Sequence, residues 1–426
     1  MTPPPRLPFP AWPACLRAVR AILGFLVLAI AAHGAGDPAQ DAAIRQHRQG
    51  TLIIVAAPGT SVVVEQTRHE FWFGAALANP AFDGGMPKSD AAHYKEVFLA
   101  NFNSAVTENA LKWPNMEPKR GEVNYATVDA ILGWTSQNEI PLRGHNIYWG
   151  IDNVVQPWLK ELDTPTLRAT LQARGEDVGR RYRGRFAEYD LNNEMIHGDF
   201  YADRLGAGIT REMADWVRGQ DPDAKLFVND YDILTGRRLA DYVDHIRKLL
   251  ANGAPIQGIG VQGHLHGDTF DPADVSAALD ELAKFNLPVR VTEFNFPGQR
   301  SKFYRHPEIA MTGEEEQAKA RAIVAYYRTC FAHPSVTGIL MWGFWEGSNW
   351  IPQSSLFRRN WTPTPAAIAY HDLIYREWWT HWSGTVGAEG RIAVPAFFGT
   401  HRVTIGERTF SVNLRKADGS ATLTAP

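Results

Sequence analysis

Cysteine is almost missing from this chain of 426 residues, where only Cys15 and Cys330 are present. Cys15 falls in an N-terminal segment expected to be removed. No intramolecular disulfide is then available, and stability has to come from the size of the core. An excess of charge of one sign is missing as well. The 43 basic and 46 acidic residues leave a net charge of −3, which offers no basic face to a phosphate backbone and sets nucleic-acid binding aside. After residue 30 no apolar run reaches the length of a membrane span. No His/Cys cluster has ligand spacing, so neither a metal nor an organic cofactor is expected. What is abundant is tryptophan. The 14 indoles lie mostly in or beside strand ends and loops, and a flat indole suits the apolar face of a sugar ring. Core filling accounts for some of them.

The start of the chain reads as a secretory signal. Arg6, Arg17 and Arg20 precede the apolar run 21–30, and small residues follow to Gly36. Cleavage after Ala31 or Gly34 would leave a secreted or periplasmic protein with no membrane attachment; an uncleaved anchor is the alternative.

Residues 37–50 are polar, and the runs 51–55 and 61–65, separated by Ala57-Pro58-Gly59, read as a β-hairpin. A regular rhythm follows. Short apolar runs at 71–77, 103–106, 141–149, 188–194, 225–232, 258–265, 288–296 and 338–345 alternate with helical patterns. These fall near 90–101, 122–138, 164–186, 207–220, 236–252, 272–285, 314–332 and 363–378. In the fifth of them Leu239, Tyr242, Val243, Ile246 and Leu250 recur at spacings of three and four. Strict alternation of eight strands and eight helices predicts an α/β fold, a (β/α)8 TIM barrel, over residues 70–380. An open doubly wound sheet is disfavoured, since no G-x-G-x-x-G follows the first strand. The runs 391–398, 401–405 and 409–414 look like strands too few to stand alone. They are expected to pair with the hairpin and make a small β-appendage from both ends of the chain. The expected division is 1–36 signal, 37–69 N-terminal hairpin segment, 70–380 barrel and 381–426 C-terminal appendage.

A barrel of this kind gathers its working side chains at strand C-termini. Strand two runs out into Glu108, Asn109 and Lys112; strand three into His145 and, further on, Trp149. Strand four ends at Asn193-Glu194, five at Asn229-Asp230-Tyr231 and six at Gln262-Gly263-His264. Strand seven stops on Glu293, and strand eight on Trp342, with Trp345 and Trp350 beyond. Cleavage of a glycosidic bond needs two carboxylates facing each other across it, and Glu194 and Glu293 are the candidate pair. Either alone could be an ordinary strand-end glutamate facing solvent. Seven strand ends carrying hydrogen-bonding or aromatic groups on one rim argue against that.

With these motifs in view the chain resembles the family 10 glycoside hydrolases, the β-1,4-xylanases, over about residues 70–380. The resemblance rests on ENALKW (108–113), RGHNIYW (143–149), NNE (192–194), VNDYD (228–232), GIGVQGHL (258–265), VTEFNF (291–296) and MWGFWEGSNW (341–350), in that order. The stretches RGHN and NNEMIH and the tail after Trp378 are most similar to the plant branch. The resemblance implies a secreted retaining endo-β-1,4-xylanase, Glu194 its acid/base and Glu293 its nucleophile. Glu293 would be kept ionised by a hydrogen bond from His264, and Glu194 kept protonated by the negative charge of its neighbour. It further implies Glu108, Asn109 and Lys112 on the glycone sugar, and His145, Asn193 and Gln262 at the cleavage point. Trp342 and Trp350 would stack over that sugar, and Tyr231 would carry the leaving sugar. A monomer acting on xylan or xylo-oligosaccharides is expected.

Three positions depart from the family pattern. Tyr189 stands where many relatives have Trp, a swap expected in the barrel interior. Gly150 stands where others carry a second His, losing a polar group on the glycone side. Trp345-Glu346 is bulkier than usual and is expected to narrow the rim. Two alternatives stay open: a retaining glycosidase on a related β-glycan or short xyloside, and a carbohydrate-binding barrel without catalysis, whose mark would be loss of either glutamate.

Overall fold

The computed structural model describes residues 37–265 and 269–425. The expected signal segment lies outside the described residues. A helix, Pro38–Arg48, opens the described chain, and the side chain of Asp37 caps it by accepting from the Ala39 N–H at 3.0 Å. Two strands follow, β1 (Gln49–Val55) and β2 (Ser61–His69).

Next come the barrel strands: β3 (Trp72–Leu77), β4 (Ser104–Thr107), β5 (Leu142–Gly144), β6 (Tyr148–Trp149), β7 (Glu188–Asn193), β8 (Leu226–Asp230), β9 (Gly258–Val261), β10 (Val289–Phe294) and β11 (Val336–Met341). Parallel pairing runs β3-β4-β5-β7-β8-β9-β10-β11 and returns from β11 to β3, closing an eight-stranded ring. The two-residue β6 continues the line of β5 along the upper part of β7. The apolar run 141–149 is thus one strand interrupted around His145. Eight longer helices cover the ring where the helical patterns stand, from Lys88–Asn101 to Pro365–Asp372. One detail of the pattern differs. In the helix Leu239–Ala251 the buried stripe is Tyr242, Ile246 and Leu249, while Leu250 is exposed. A period of 3.6 carries the stripe from 242 and 246 to 249.

Strand side chains alternate between two layers. Phe73, Ala75, Leu77, Val289 and Val291 pack outward into the main core, whereas Trp72, Ala76, Val106, Leu340 and Trp342 point into the barrel. Tyr189 belongs to the outward set and lies against Phe186 at 4.8 Å. Its neighbours Glu188 and Asp190 take the interior instead, so the expectation for Tyr189 is corrected. The reason is a buried ionic lattice. Arg143 donates to Glu188 and to Asp190, with Nε 3.1 Å from Asp190 Oδ2, and Arg290 donates to Glu188 at 3.0 and 3.1 Å. Removing one partner from such a network strands a buried charge at a cost of about 3–5 kcal/mol. Arg143→Met is expected to lose that much stability in a urea melt; an unchanged midpoint would show that the lattice contributes nothing.

The C-terminal strands are β12 (His381–Thr385), β13 (Arg391–Phe397), β14 (Gly399–Ile405), β15 (Arg408–Leu414) and β16 (Ser420–Thr424). They do pair with β1 and β2, but the expected hairpin does not form. β1 is the middle strand of β13-β1-β16, and β2 lies inside β12-β2-β14-β15. The two sheets enclose Leu52, Ile54, Val62, Val64, Val394, Val403 and Leu414. The turn between β1 and β2 passes from one sheet to the other, and C-terminal residues take its backbone groups: Gly59 N–H bonds Val386 O at 2.9 Å and Ala56 N–H bonds Gly390 O at 3.1 Å. Each N-terminal strand thereby satisfies both its edges, which mutual pairing alone would not do.

Near the lower mouth of the barrel a cavity of about 430 Å³ opens, lined by Arg68, Trp72, Asn103, Thr400, Asn413 and Arg415 among others. Glu70 is the only acid among the described residues that line it, so they supply no carboxylate pair. The strand ends singled out in the sequence stand at the other mouth.

Candidate active site

β7 ends on Asn193, and the next residue, Glu194, has a φ of +62°, in the left-handed region that a long side chain rarely adopts. The register of β7 against β8 shifts between Asp190 and Asn192, and the Glu194 N–H makes a last bond to Asn229 O at 2.8 Å. The side chain is then held on both oxygens. Oε1 accepts from Gln262 Nε2 at 2.7 Å and Oε2 from Trp149 Nε1 at 2.9 Å. Strain of this kind costs on the order of 1–3 kcal/mol and persists where surrounding contacts fix it.

Glu293 stays within β10, and its N–H bonds Gln262 O at 2.7 Å. Oε1 accepts from Asn229 Nδ2 at 2.9 Å and faces His145 Nε2 at 3.8 Å, while Oε2 faces His264 Nε2 at 3.3 Å. Gln262 therefore holds one glutamate by its side chain and the other by its backbone.

The two acids are driven apart. Burial pushes Glu194 up; the Gln262 hydrogen bond opposes this, and the charges of Glu293 and Asp230 add to it. Burial would push Glu293 up too, but His145, His264 and Lys112 outweigh it and hold the carboxyl at about 2. The expectation that a neighbour's charge keeps Glu194 protonated is thus adjusted: desolvation leads and the neighbour assists.

Around the pair, Lys112 Nζ donates to Asn109 Oδ1 at 2.9 Å and stands 5.0 Å from the Trp149 ring centre and 5.5 Å from that of Trp342. Burial lowers Lys112 against the pull of Glu293, Glu108 and Glu194, and raises Glu108 against the pull of Lys112. Trp342 meets His145 edge to face at 5.2 Å. Trp350 is 37% exposed and leans on His264 at 5.2 Å and on Tyr304 at 5.7 Å. Tyr231 stacks flat on His197 at 3.6 Å. Asn193 Oδ1 accepts from Asn229 at 3.0 Å, but its Nδ2 is buried without a partner among the described residues. The thirteen residues singled out in the sequence thus gather on one rim, through these contacts and those of the pair.

Other residues take roles that the sequence does not assign them. Asn229 bridges Asn193 and Glu293 and is itself held by Thr292 Oγ1 at 2.7 Å. Asp190 orients His145 through Nδ1 at 2.8 Å, and Asn295 orients His264 through Nδ1 at 2.7 Å. Asp230 holds His197 Nδ1 at 2.8 Å. Asn229 and Asp230 are the strand-five end named from the sequence, and they close β8. Two departures are also corrected. Trp345 does not narrow the rim: it is buried, stacks on Trp361 at 4.2 Å and donates to Arg359 O at 3.3 Å. At Gly150 a Cβ would stand 2.8 Å from Asp199 Oδ1, so a side chain there would have to displace that carboxylate. The polar group beside that backbone is Asp199, an acid that burial pushes up to about 6.

Among the described residues no group of three or more His, Cys, Asp or Glu side chains is arranged to hold a metal ion. A closed (β/α)8 barrel with a half-buried and a buried glutamate, oppositely tuned, at its strand tips defines a two-carboxylate barrel protein. The chain belongs to glycosyl hydrolase family 10, whose family model matches residues 63–373. It is 34% identical over 348 residues to endo-1,4-beta-xylanase 3 of Arabidopsis thaliana, covering 81% of this chain and 43% of that one. It is 33% identical over 360 residues to anti-sigma-I factor RsgI6 of Acetivibrio thermocellus, covering 83% and 44%. The chain thus spans less than half the length of these two relatives. The fold is shared with xylanase 10B of Thermotoga petrophila, solved in complex with xylobiose, at a TM-score of 0.64 and 23% identity over 72% of this chain and 95% of that one.

Proposed function

We propose that this chain is a retaining endo-β-1,4-xylanase, with Glu194 as acid/base and Glu293 as nucleophile. The observation that carries the proposal is the split between the two glutamates: one pushed up, one held at about 2, and both fastened to Gln262. In the first step ionised Glu293 attacks the anomeric carbon while Glu194 passes its proton to the departing oxygen, leaving a glycosyl ester on Glu293. In the second, Glu194, now a carboxylate, takes a proton from water as that water attacks the same carbon and frees Glu293. Such an exchange needs carboxyl groups roughly 5–5.5 Å apart.

The unpaired Nδ2 of Asn193 is a donor that a sugar hydroxyl would satisfy. Trp350, propped by Tyr304 against His264, is the bulk that would meet a hydroxymethyl group, which glucose carries and xylose lacks. On the same reading the arginine-led apolar run at the N-terminus exports the protein.

One relative is named a regulatory factor rather than an enzyme, which supports a second reading as a glycan-binding barrel without turnover. The retention of both glutamates with opposed acidity favours catalysis, since binding does not need it. Reducing ends released from xylan, carboxymethylcellulose and mixed-linkage glucan, assayed side by side, decide the matter. Release from xylan well above the two glucans is expected. Retention of xylan with no release would favour the second reading, and greater release from glucan would move the substrate.

A further inference from the structure

The loop that carries Glu194 out of β7 comes back to the barrel at Asp199. Its carboxylate accepts from the Ala202 N–H at 3.1 Å, capping the short helix Phe200–Leu205, and stands 3.5 Å from Asn192 Nδ2. The first two residues of that helix hold the far end of β6. Phe200 N–H bonds Gly150 O at 2.8 Å, and Tyr201 OH donates to Trp149 O at 3.4 Å. β6 is only two residues long and pairs with β7 alone, so these outer bonds matter to where it lies. Trp149 is its last residue, and the Trp149 indole N–H is one of the two donors on Glu194. Gly150 makes room for the acid, because any Cβ there would press on Asp199 Oδ1 and Tyr201.

We infer that Asp199 is a positioning residue for Glu194, acting through the helix cap, β6 and the Trp149 N–H. As a role in the reaction this rests on the function proposed above; as a contact relay it does not. Asp199 touches neither glutamate in the pair. Among the described residues, the groups that face Glu194 directly are Gln262 just past β9, Glu293 from β10, Asp230 from β8, Tyr231 beyond it, Lys112 after β4 and Trp149 from β6. Of the two hydrogen bonds that pull the Glu194 pKa down, the one from Trp149 is the one Asp199 can release.

The test reads Glu194 without needing turnover. Carboxyl-carbon NMR titration of the full chain, with the Glu194 signal assigned through Glu194→Gln, gives its midpoint in each variant. Asp199→Ala is expected to raise that midpoint by half a unit or more, because Trp149 no longer donates. Asp199→Asn keeps an acceptor for the Ala202 N–H and is expected to restore the parent value. Gly150→Ala pushes on the same carboxylate from the other side and should raise the midpoint even where Asp199→Ala folds poorly. An unchanged midpoint in Asp199→Ala and Gly150→Ala would overturn the proposal and leave Asp199 a cap only. In turnover, Asp199→Ala should lose about tenfold in kcat/KM on xylo-oligosaccharides, whose leaving group needs the proton, with little loss on an aryl glycoside of an acidic phenol. Equal losses on both substrates would likewise count against it. A parent that binds xylan without cutting it would defeat the proposed function while the titration still judged the relay.

Discussion

Turnover of xylan is expected to fall on the order of 10⁴-fold or more when Glu293 becomes alanine, as removal of a nucleophile does elsewhere. The step lost is bond formation itself, so no choice of leaving group should bring it back. Azide can enter the space left by Glu293, but it would approach from the nucleophile's face and give the inverted glycosyl azide, not the retained one. Glu194 should also change. The Glu293 charge is one of the causes that push it up, so its own titration should move down in this variant. A Glu293→Ala protein that still cut xylan within tenfold of the parent would remove Glu293 from the nucleophile's place.

Glu194→Ala is expected to behave differently, because its loss affects protons rather than the attacking atom. On xylan, whose leaving sugar needs a proton, activity should drop about 10²- to 10⁴-fold. On an aryl glycoside with an acidic phenol the first step survives, the glycosyl ester accumulates, and azide should rescue the second step with retained configuration. The pH profile gives an independent sign. Glu194 must be protonated to start the reaction, and burial raises it above its ordinary 4.5, so kcat/KM of the parent falls as pH rises through that raised value. Glu293 must be ionised, and its carboxyl lies at about 2, so the acid limb lies far lower. In Glu194→Ala the fall at higher pH should vanish. Persistence of that fall would assign it to another group.

The parts of this molecule legible in its sequence are those where local chemistry and fold agree. Short apolar runs that stop on polar residues, such as the one ending at Glu194, mark strand and tip at once. What stayed hidden depends on partners far along the chain. Ala57-Pro58-Gly59 is a sound turn signal, yet it cannot say that Val386 and Gly390, rather than the neighbouring strand, will take its backbone bonds. β12 and β16 escaped notice because their side chains alternate between exposed and half-buried, which leaves little apolar pattern to read. Asp190 looked like one more strand residue until the interior set it beside Arg143 and His145. Gly150 read as a lost polar group because the acid that fills its space arrives from 49 positions later, at Asp199.

Proton NMR of the first sugar released from a xylo-oligosaccharide, recorded before mutarotation sets in, tests the central claim most directly. Two carboxyl groups acting as nucleophile and acid/base must deliver the product with the β configuration of the bond that was cut. The β anomer first, with the α signal growing in only later, is the result predicted. The α anomer first would mean that water attacks directly, and Glu293 could not then be the nucleophile.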